Sequence, residues 1–329
     1  PGSTLDTVTP DFGGPIQDLY ALVFWWTVVI LVVVYGVLAY VLWRFRERPG
    51  GPAPKKTRGN LWLEVGWTLA PAIIVVLIAI PTIRAVFRTQ EPAPEGALTI
   101  DVVGHQWWWE FRYPEAGVVT ANELHLPVGR TVELRLSSAD VIHSFWVPRL
   151  GGKRDVNPRV RKPEGEPPNF TYLKFTVAEP GEYLGQCAEF CGTSHALMRM
   201  RVVAESPQEF DAWLERMKAP PDEPEPGTLA AEGRRIFHQS ACIACHAIAG
   251  TTAQGVLGPS LTRVGARSTI GAGILENTPE NLAAWIRAPI TIKPDVRMPG
   301  THAAGGGMPA TGLTDGQAAA VAAYLASLR

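Results

Sequence analysis

The stretch Gly185-Gln-Cys-Ala-Glu-Phe-Cys-Gly-Thr-Ser-His-Ala-Leu-Met-Arg-Met200 spaces Cys187, Cys191, His195 and Met198 as C-x3-C-x3-H-x2-M. Two thiols, one imidazole and one thioether in a single tight loop make a soft donor set, which suits copper rather than magnesium, calcium or manganese. Tyr183-Leu184 precedes the loop and the alternating Met198-Arg-Met-Arg-Val-Val203 follows it, so the donors sit between two strands.

Working outward, the same period of two recurs in Leu98-Thr-Ile100-Asp-Val102, Val132-Glu-Leu134-Arg-Leu136 and Tyr172-Leu-Lys-Phe-Thr-Val177. Pro127-Val-Gly129 and Glu179-Pro-Gly181 supply turn chemistry between them. Short alternating strands with such turns predict an antiparallel sandwich or barrel over residues 96–205, and a ligand loop between its last strands is the cupredoxin arrangement. The missing donor should come from an earlier loop, and His143 in Ala139-Asp-Val-Ile-His-Ser-Phe-Trp146 fits. Two thiolates, two imidazoles and weak axial donors can hold two coppers with bridging sulfurs, whereas a single copper needs only one cysteine. The competing reading is a redox-silent Cys2His2 zinc site, which leaves Met198 without a role. His105, His125 and His302 read as surface or locally bonded histidines.

The chain has 329 residues, a formal net charge of -1 and 46% hydrophobic residues. Nothing basic points to nucleic acid. Four cysteines form two close pairs, each followed by a histidine. Disulfides within the pairs would close only tiny loops and restrict the unfolded chain little. No signal-peptide pattern precedes Pro1, so a leader is expected to have been removed or never present.

Leu19 to Trp43 holds 25 residues without a charge, about 37 Å of helix. Val65 to Ile83 is a second uncharged run, about 28 Å long, with Pro71 and Pro81 inside it. Within residues 1–90 these predict a two-helix transmembrane hairpin, with helices over about 18–44 and 63–88. The joining loop carries Arg44, Arg46, Arg48, Lys55, Lys56 and Arg58, and the segment before Leu19 carries Asp6, Asp11 and Asp18. The positive-inside rule puts the loop in the cytoplasm, and both termini and both metal domains on the periplasmic or extracellular side. Glu64, at the cytoplasmic mouth of the second helix, reads on its own as a residue that snorkels to interfacial water.

Residues 206–227, ending in Lys218-Ala-Pro-Pro-Asp-Glu-Pro-Glu-Pro-Gly227, read as a stiff, extended, solvated linker. In the all-α domain expected over 228–329, Cys242-Ile-Ala-Cys-His246 has the C-x-x-C-H form for covalent attachment of haem c, with His246 as proximal ligand. Thr314 is the expected N-cap of a closing helix that runs to Leu328. His238 reads as a solvated helix residue.

Three segments carry a close resemblance over roughly residues 15–205: Gly104-His-Gln-Trp-Trp-Trp109, His143-Ser-Phe-Trp-Val-Pro148 and Gly185 to His195 resemble subunit II of cytochrome c oxidase, and Trp67-Thr-Leu-Ala-Pro-Ala72 is similar to its second helix. The resemblance implies a binuclear CuA centre with bridging Cys187 and Cys191, terminal His143 and His195, a weak Met198 thioether and the Glu189 carbonyl. It implies that the Glu189 carboxylate shares a magnesium with subunit I, that Trp107 lies on the electron path, and that Glu64 marks the entrance of a proton path rather than a snorkelling end. Trp108 departs from the family's usual tyrosine. Residues 228–329 resemble a small cytochrome c domain whose second iron ligand is a distant methionine. Met298, in Lys293-Pro-Asp-Val-Arg-Met-Pro299, is preferred over Met308, in Gly305-Gly-Gly-Met-Pro309, because its form is that of fused cytochrome domains.

The implied role is the electron-transfer subunit of a proton-pumping, respiratory-chain terminal oxidase in a bacterial plasma membrane. Electrons would pass from haem c through CuA to haem A in subunit I, for reduction of oxygen to water. The implied partners are subunits I and III and, as electron donor, an external cytochrome c or an upstream quinol-cytochrome c reductase. The competing roles are a reductase of nitrogen oxides, which the hairpin and Glu64 argue against, and a quinol oxidase subunit II, which the full ligand set argues against.

Overall fold

The computed structural model describes residues 7–51, 59–158, 169–305 and 307–329. Asp6, Lys55, Lys56 and Arg58, used above to orient the helices, lie outside the described residues. Helices α1 (Gly13–Arg44) and α2 (Leu61–Thr89) are each long and apolar enough to cross a membrane. Their large apolar side chains, Trp25, Leu31, Trp62 and Val75 among them, are exposed. Such extended apolar surface calls for a partner or a bilayer. The first helix starts ahead of the expected residue 18, because the Gly13 amide is satisfied by the Thr9 carbonyl and hydroxyl. The Asn60 side chain caps α2 by accepting from Trp62 and Leu63, and Pro71 and Pro81 lie within the helix.

Residues 7–13 and 92–329 form a separate compact unit. Its sandwich comprises β1 (Leu98–His105), β2 (Trp108–Tyr113), β3 (Val118–Ala121), β4 (Glu123–Pro127), β5 (Thr131–Ser138), β6 (His143–Trp146), β7 (Arg154–Val156), β8 (Thr171–Thr176), β9 (Gly181–Cys187) and β10 (Arg199–Glu205). One sheet runs β3-β2-β1-β5-β8 and the other β4-β10-β9-β6-β7. Leu98, Ile100 and Val102 pair in register with Val132, Leu134 and Leu136, and all six are buried. The alternation in sequence thus becomes one apolar face. The expected all-antiparallel pairing needs correction: β1 with β5 and β4 with β10 are parallel. These strands are far apart in sequence and are joined by crossovers rather than hairpins, a choice that period-two alternation does not encode.

Two further differences concern what completes the sandwich. Much of the segment expected to be linker is helix α3 (Pro207–Lys218), started by a Ser206/Glu209 capping box. Phe210 and Trp213 recur at helical spacing and pack on Tyr113 and His125. At the other end, Val8 and Phe12 enter the same core, and Val8 exchanges backbone hydrogen bonds with Arg149 and Ala178.

The haem-type domain contains α4 (Leu229–Gln239), α5 (Cys242–Cys245), a small β11 (Thr269–Ile270) and β12 (Leu275–Glu276) pair, α6 (Pro279–Arg287), α7 (Pro289–Ile292) and α8 (Asp315–Ser327). Thr228, Thr278 and Thr314 cap α4, α6 and α8 through their hydroxyls. Ala318, Ala320 and Ala322 are buried on α8, and small side chains there let helices approach closely. The linker beyond α3 is mostly exposed but not free. Arg263 donates to the Ala219 and Pro220 carbonyls, and Arg234 pairs with Glu223 at 2.6 Å.

Candidate metal centres

His143 opens β6, and Cys187 ends the neighbouring β9. The pairing of Phe145 with Cys187 brings the two donors together. The chain then loops through Cys191 and makes a short 3-10 turn at His195–Leu197 before Met198 leads into β10. The Cys187 and Cys191 sulfurs are 3.8 Å apart, far beyond the 2.05 Å of a disulfide, and all four cysteines are free. Cys187 Sγ lies 3.9 Å from His143 Nδ1, and Cys191 Sγ lies 3.5 Å from His195 Nδ1 and 3.9 Å from Met198 Sδ. The Glu189 carbonyl accepts from Cys187 Sγ at 3.2 Å. His143, Cys187 and Cys191 offer donor atoms mutually within 4.8 Å. Each imidazole faces a different sulfur, so this donor set fits a pair of soft ions sharing the thiolates better than one tetrahedral zinc.

Several residues that sequence reasoning missed hold these donors. The Asp140 carboxylate bonds His143 Nε2 at 2.8 Å, leaving Nδ1 turned to the sulfur. Asp140 is fixed in turn by the amides of Gln106 and Val141. Such carboxylate–histidine pairs orient a ligand and raise its basicity. Burial pulls the His143 pKa down, but Asp140 and Cys187 outweigh it and the net shift is upward. A Cβ on Gly104 would lie 2.7 Å from the His143 ring, so this position must stay glycine. Gln106 Nε2 and Trp107 Nε1 both donate to the Cys191 carbonyl, at 2.8 and 3.0 Å. The signals were present, with Asp140 three residues before His143 and Gly104 opening the aromatic stretch, but neither has meaning until the strands pair.

Cys187 ionises far more readily than an ordinary thiol, chiefly through its contact with Cys191 and further through His143, which together outweigh the opposing effect of burial. Cys191 correspondingly keeps its proton. A cation is needed to strip both. Met198 and His143 are fully buried, whereas Glu189 and Phe190 are exposed.

In the other domain, Cys242 and Cys245 project from α5, and His246 follows as its C-cap. The His246 Nδ1 bonds the Pro259 carbonyl at 2.8 Å, which assigns Nε2 to a metal. Burial lowers the pKa of His246 and keeps the imidazole in its neutral, ligating form. A Cβ on Gly258 would press on this ring at 2.7 Å, so the loop clasps the imidazole closely. Two half-buried thiols beside an oriented imidazole fit covalent haem attachment. Met298 packs on the same apolar cluster as Cys242 and Ile243. Met308 belongs instead to a small loop closed by reciprocal backbone bonds with Gly305.

Of the remaining candidates, Glu64 is exposed in the first turn of α2, where the helix dipole favours an acid. His105 stacks on Trp108, and His125 bonds Glu205 and stacks on Trp213. His302 is exposed, and His238 bonds Thr252.

Comparison with known proteins matches residues 116–206 to the family described as cytochrome c oxidase subunit II, periplasmic domain, residues 6–85 to its transmembrane domain, and residues 230–329 to cytochrome c. A cytochrome c oxidase subunit 2 of Alkalihalophilus pseudofirmus is 42% identical over 276 residues, 82% of this chain and 77% of that protein. One from Bacillus sp. strain PS3 is 36% identical, over 87% of this chain and 80% of that protein. Among solved structures, the periplasmic domain of subunit II of the Bradyrhizobium japonicum cytochrome oxidase aligns with a TM-score of 0.34 at 30% identity, covering 39% of this chain and 97% of that one.

Proposed function

Since this chain belongs to the cytochrome c oxidase subunit II family, as a component of a haem-copper oxidase with its own cytochrome c domain, we propose that its two donor clusters form an electron relay into subunit I. His143, Cys187, Cys191, His195, Met198 and the Glu189 carbonyl hold binuclear CuA, and Cys242, Cys245, His246 and Met298 hold haem c. When bound, the two groups each take up and release one electron, linking an external cytochrome c or quinol-cytochrome c reductase to haem A and oxygen reduction in subunit I.

The chain's own residues set the conditions for this relay. Asp140 orients His143, burial keeps water from Met198 and both sulfurs, and the Pro259 carbonyl holds His246 in one orientation. The Trp107 indole bonds the Cys191 carbonyl and lies on the input side. Glu189 is exposed, and its carboxylate is available to share a magnesium with subunit I. Glu64 marks a proton entrance at the cytoplasmic end of α2, with both metal domains on the periplasmic face and subunit III as a further neighbour.

The observation that carries the reading is the sulfur pair 3.8 Å apart with a different imidazole on each sulfur. Metal analysis with EPR and visible spectroscopy of the full chain tests it. Two coppers sharing one unpaired electron, with one haem c, is the expected result; zinc or a single copper would falsify it.

A further inference from the structure

The haem-type domain does not hang free of the sandwich. Lys293, only 2% exposed, starts the segment that leads to Met298. Its Nζ donates to the carbonyls of Trp107 at 2.5 Å and Leu197 at 2.9 Å across the domain boundary, and to Gly271 at 3.2 Å within its own domain. Trp107 is bonded to Cys191, and Leu197 precedes Met198, so one buried amine ties the haem-ligand segment to two sides of the copper loop. An amine buried this deeply persists only when its donors are satisfied.

A second group reaches in the opposite direction. Glu123 on β4 is 4% exposed. Its Oε1 accepts from the amides of Ser268 at 2.8 Å and Thr269 at 3.1 Å, from Ser268 Oγ at 2.6 Å, and from Thr269 Oγ1 at 3.5 Å. The sandwich thus gives a carboxylate to backbone N–H groups of the haem domain, while the haem domain gives an amine to backbone carbonyls of the sandwich.

Shorter contacts fill the seam between these two groups. Thr193 bonds Asp295, Ser194 bonds the Pro294 carbonyl, Arg297 bonds Gln106, and the Arg199 amide bonds the Ala272 carbonyl. Among the described residues the non-glycine positions with positive φ are Asn122, Ala272 and Asp295. Ala272 and Asp295 bond across the seam, and Asn122 adjoins Glu123. Left-handed backbone at such residues persists only where the surroundings over-determine it; for Ala272 and Asp295 those surroundings include the other domain, whereas Asn122 is held by Trp109 and Arg201 of its own sandwich.

We propose that Lys293 and Glu123 are positioning residues forming a reciprocal lock that keeps the haem domain permanently seated on the copper loop, as a fixed donor rather than one that swings on its linker. Complexes of separate electron carriers depend on rim charges that salt screens. This lock is buried, so the seated state resists salt. The seated domain also covers Ser194 and Trp107, and an external donor must therefore deliver to the haem. That last consequence rests on the relay described above; the lock itself does not.

The test uses the full chain in detergent, with a protease site inserted between the exposed Pro226 and Gly227 and then cleaved. Retention of the C-terminal fragment is read by size exclusion and haem staining. The fragment should stay bound at both 50 mM and 500 mM KCl, buffer choices of the order used to separate screened from buried contacts. Lys293→Met and Glu123→Ala should each weaken retention about 10- to 100-fold, and Glu123→Ala, remote from both donor sets, should leave the copper and haem spectra unchanged. Glu123→Gln should recover part of the loss, and Arg297→Ala, at the exposed rim, should cost little. Release of the wild-type fragment at 500 mM KCl, or equal retention by Lys293→Met, overturns the lock. A retained fragment that carries no copper signal beside it would instead count against the relay.

Discussion

The copper loop and the haem clasp both present thiols and an imidazole, but they organise them with different amounts of chain. At the copper loop all but one of the donor residues come from positions 187–198, and His143 arrives through a strand pair. Its donors stand 3.2 to 3.9 Å apart, with their carboxylate and amide supports in place. At the clasp, Cys242, Cys245 and His246 are local, while Met298, the proposed second ligand, comes from a segment far along the chain. That segment is secured from outside its own domain, by the sandwich carbonyls of Trp107 and Leu197, which accept from its Lys293. One site is built by a single domain's ladder. The other depends on a second domain to fix its distal side.

The sharpest way to break this comparison is at the shared sulfurs. Cys187→Ser should abolish the EPR signal of an electron shared by two coppers while leaving the haem c spectrum intact. Next comes Met298→Leu, which should lose the low-spin, methionine-ligated haem spectrum, whereas Met308→Leu should retain it. The reverse outcome would give the axial role to Met308.

A smaller effect is expected at the support of His143. Asp140→Asn should lower copper affinity about 10- to 100-fold, measured by competition with a chelator, with the haem domain unaffected.

Much of this was legible in the residues. The C-x3-C-x3-H-x2-M and C-x-x-C-H spacings are local, so donor identity follows from sequence once His143 is matched to the loop. The uncharged runs that became α1 and α2 and the capping residue Thr314 are likewise local signals. Phe210 and Trp213 show the limit: the proline-rich stretch after them suggested a linker, yet their helical spacing and the Ser206 cap place them in the sandwich core. Val8 and Phe12 are short apolar positions before a membrane helix, with nothing local to say which surface they would cover.

Sequence alone determined the donor types, their order, the membrane-length helices and the alternation that makes two sheets, because each depends on neighbours a few residues apart. Tertiary structure alone decided the parallel pairing of β1 with β5, the support of His143 by Asp140 within a fold that demands glycine at 104, and the seating of Lys293 and Glu123. Those contacts join residues 96 to 186 positions apart where they cross the seam. A lysine before a proline or a glutamate on a strand ordinarily faces water. Only burial against another domain's backbone turns either one into a structural tie.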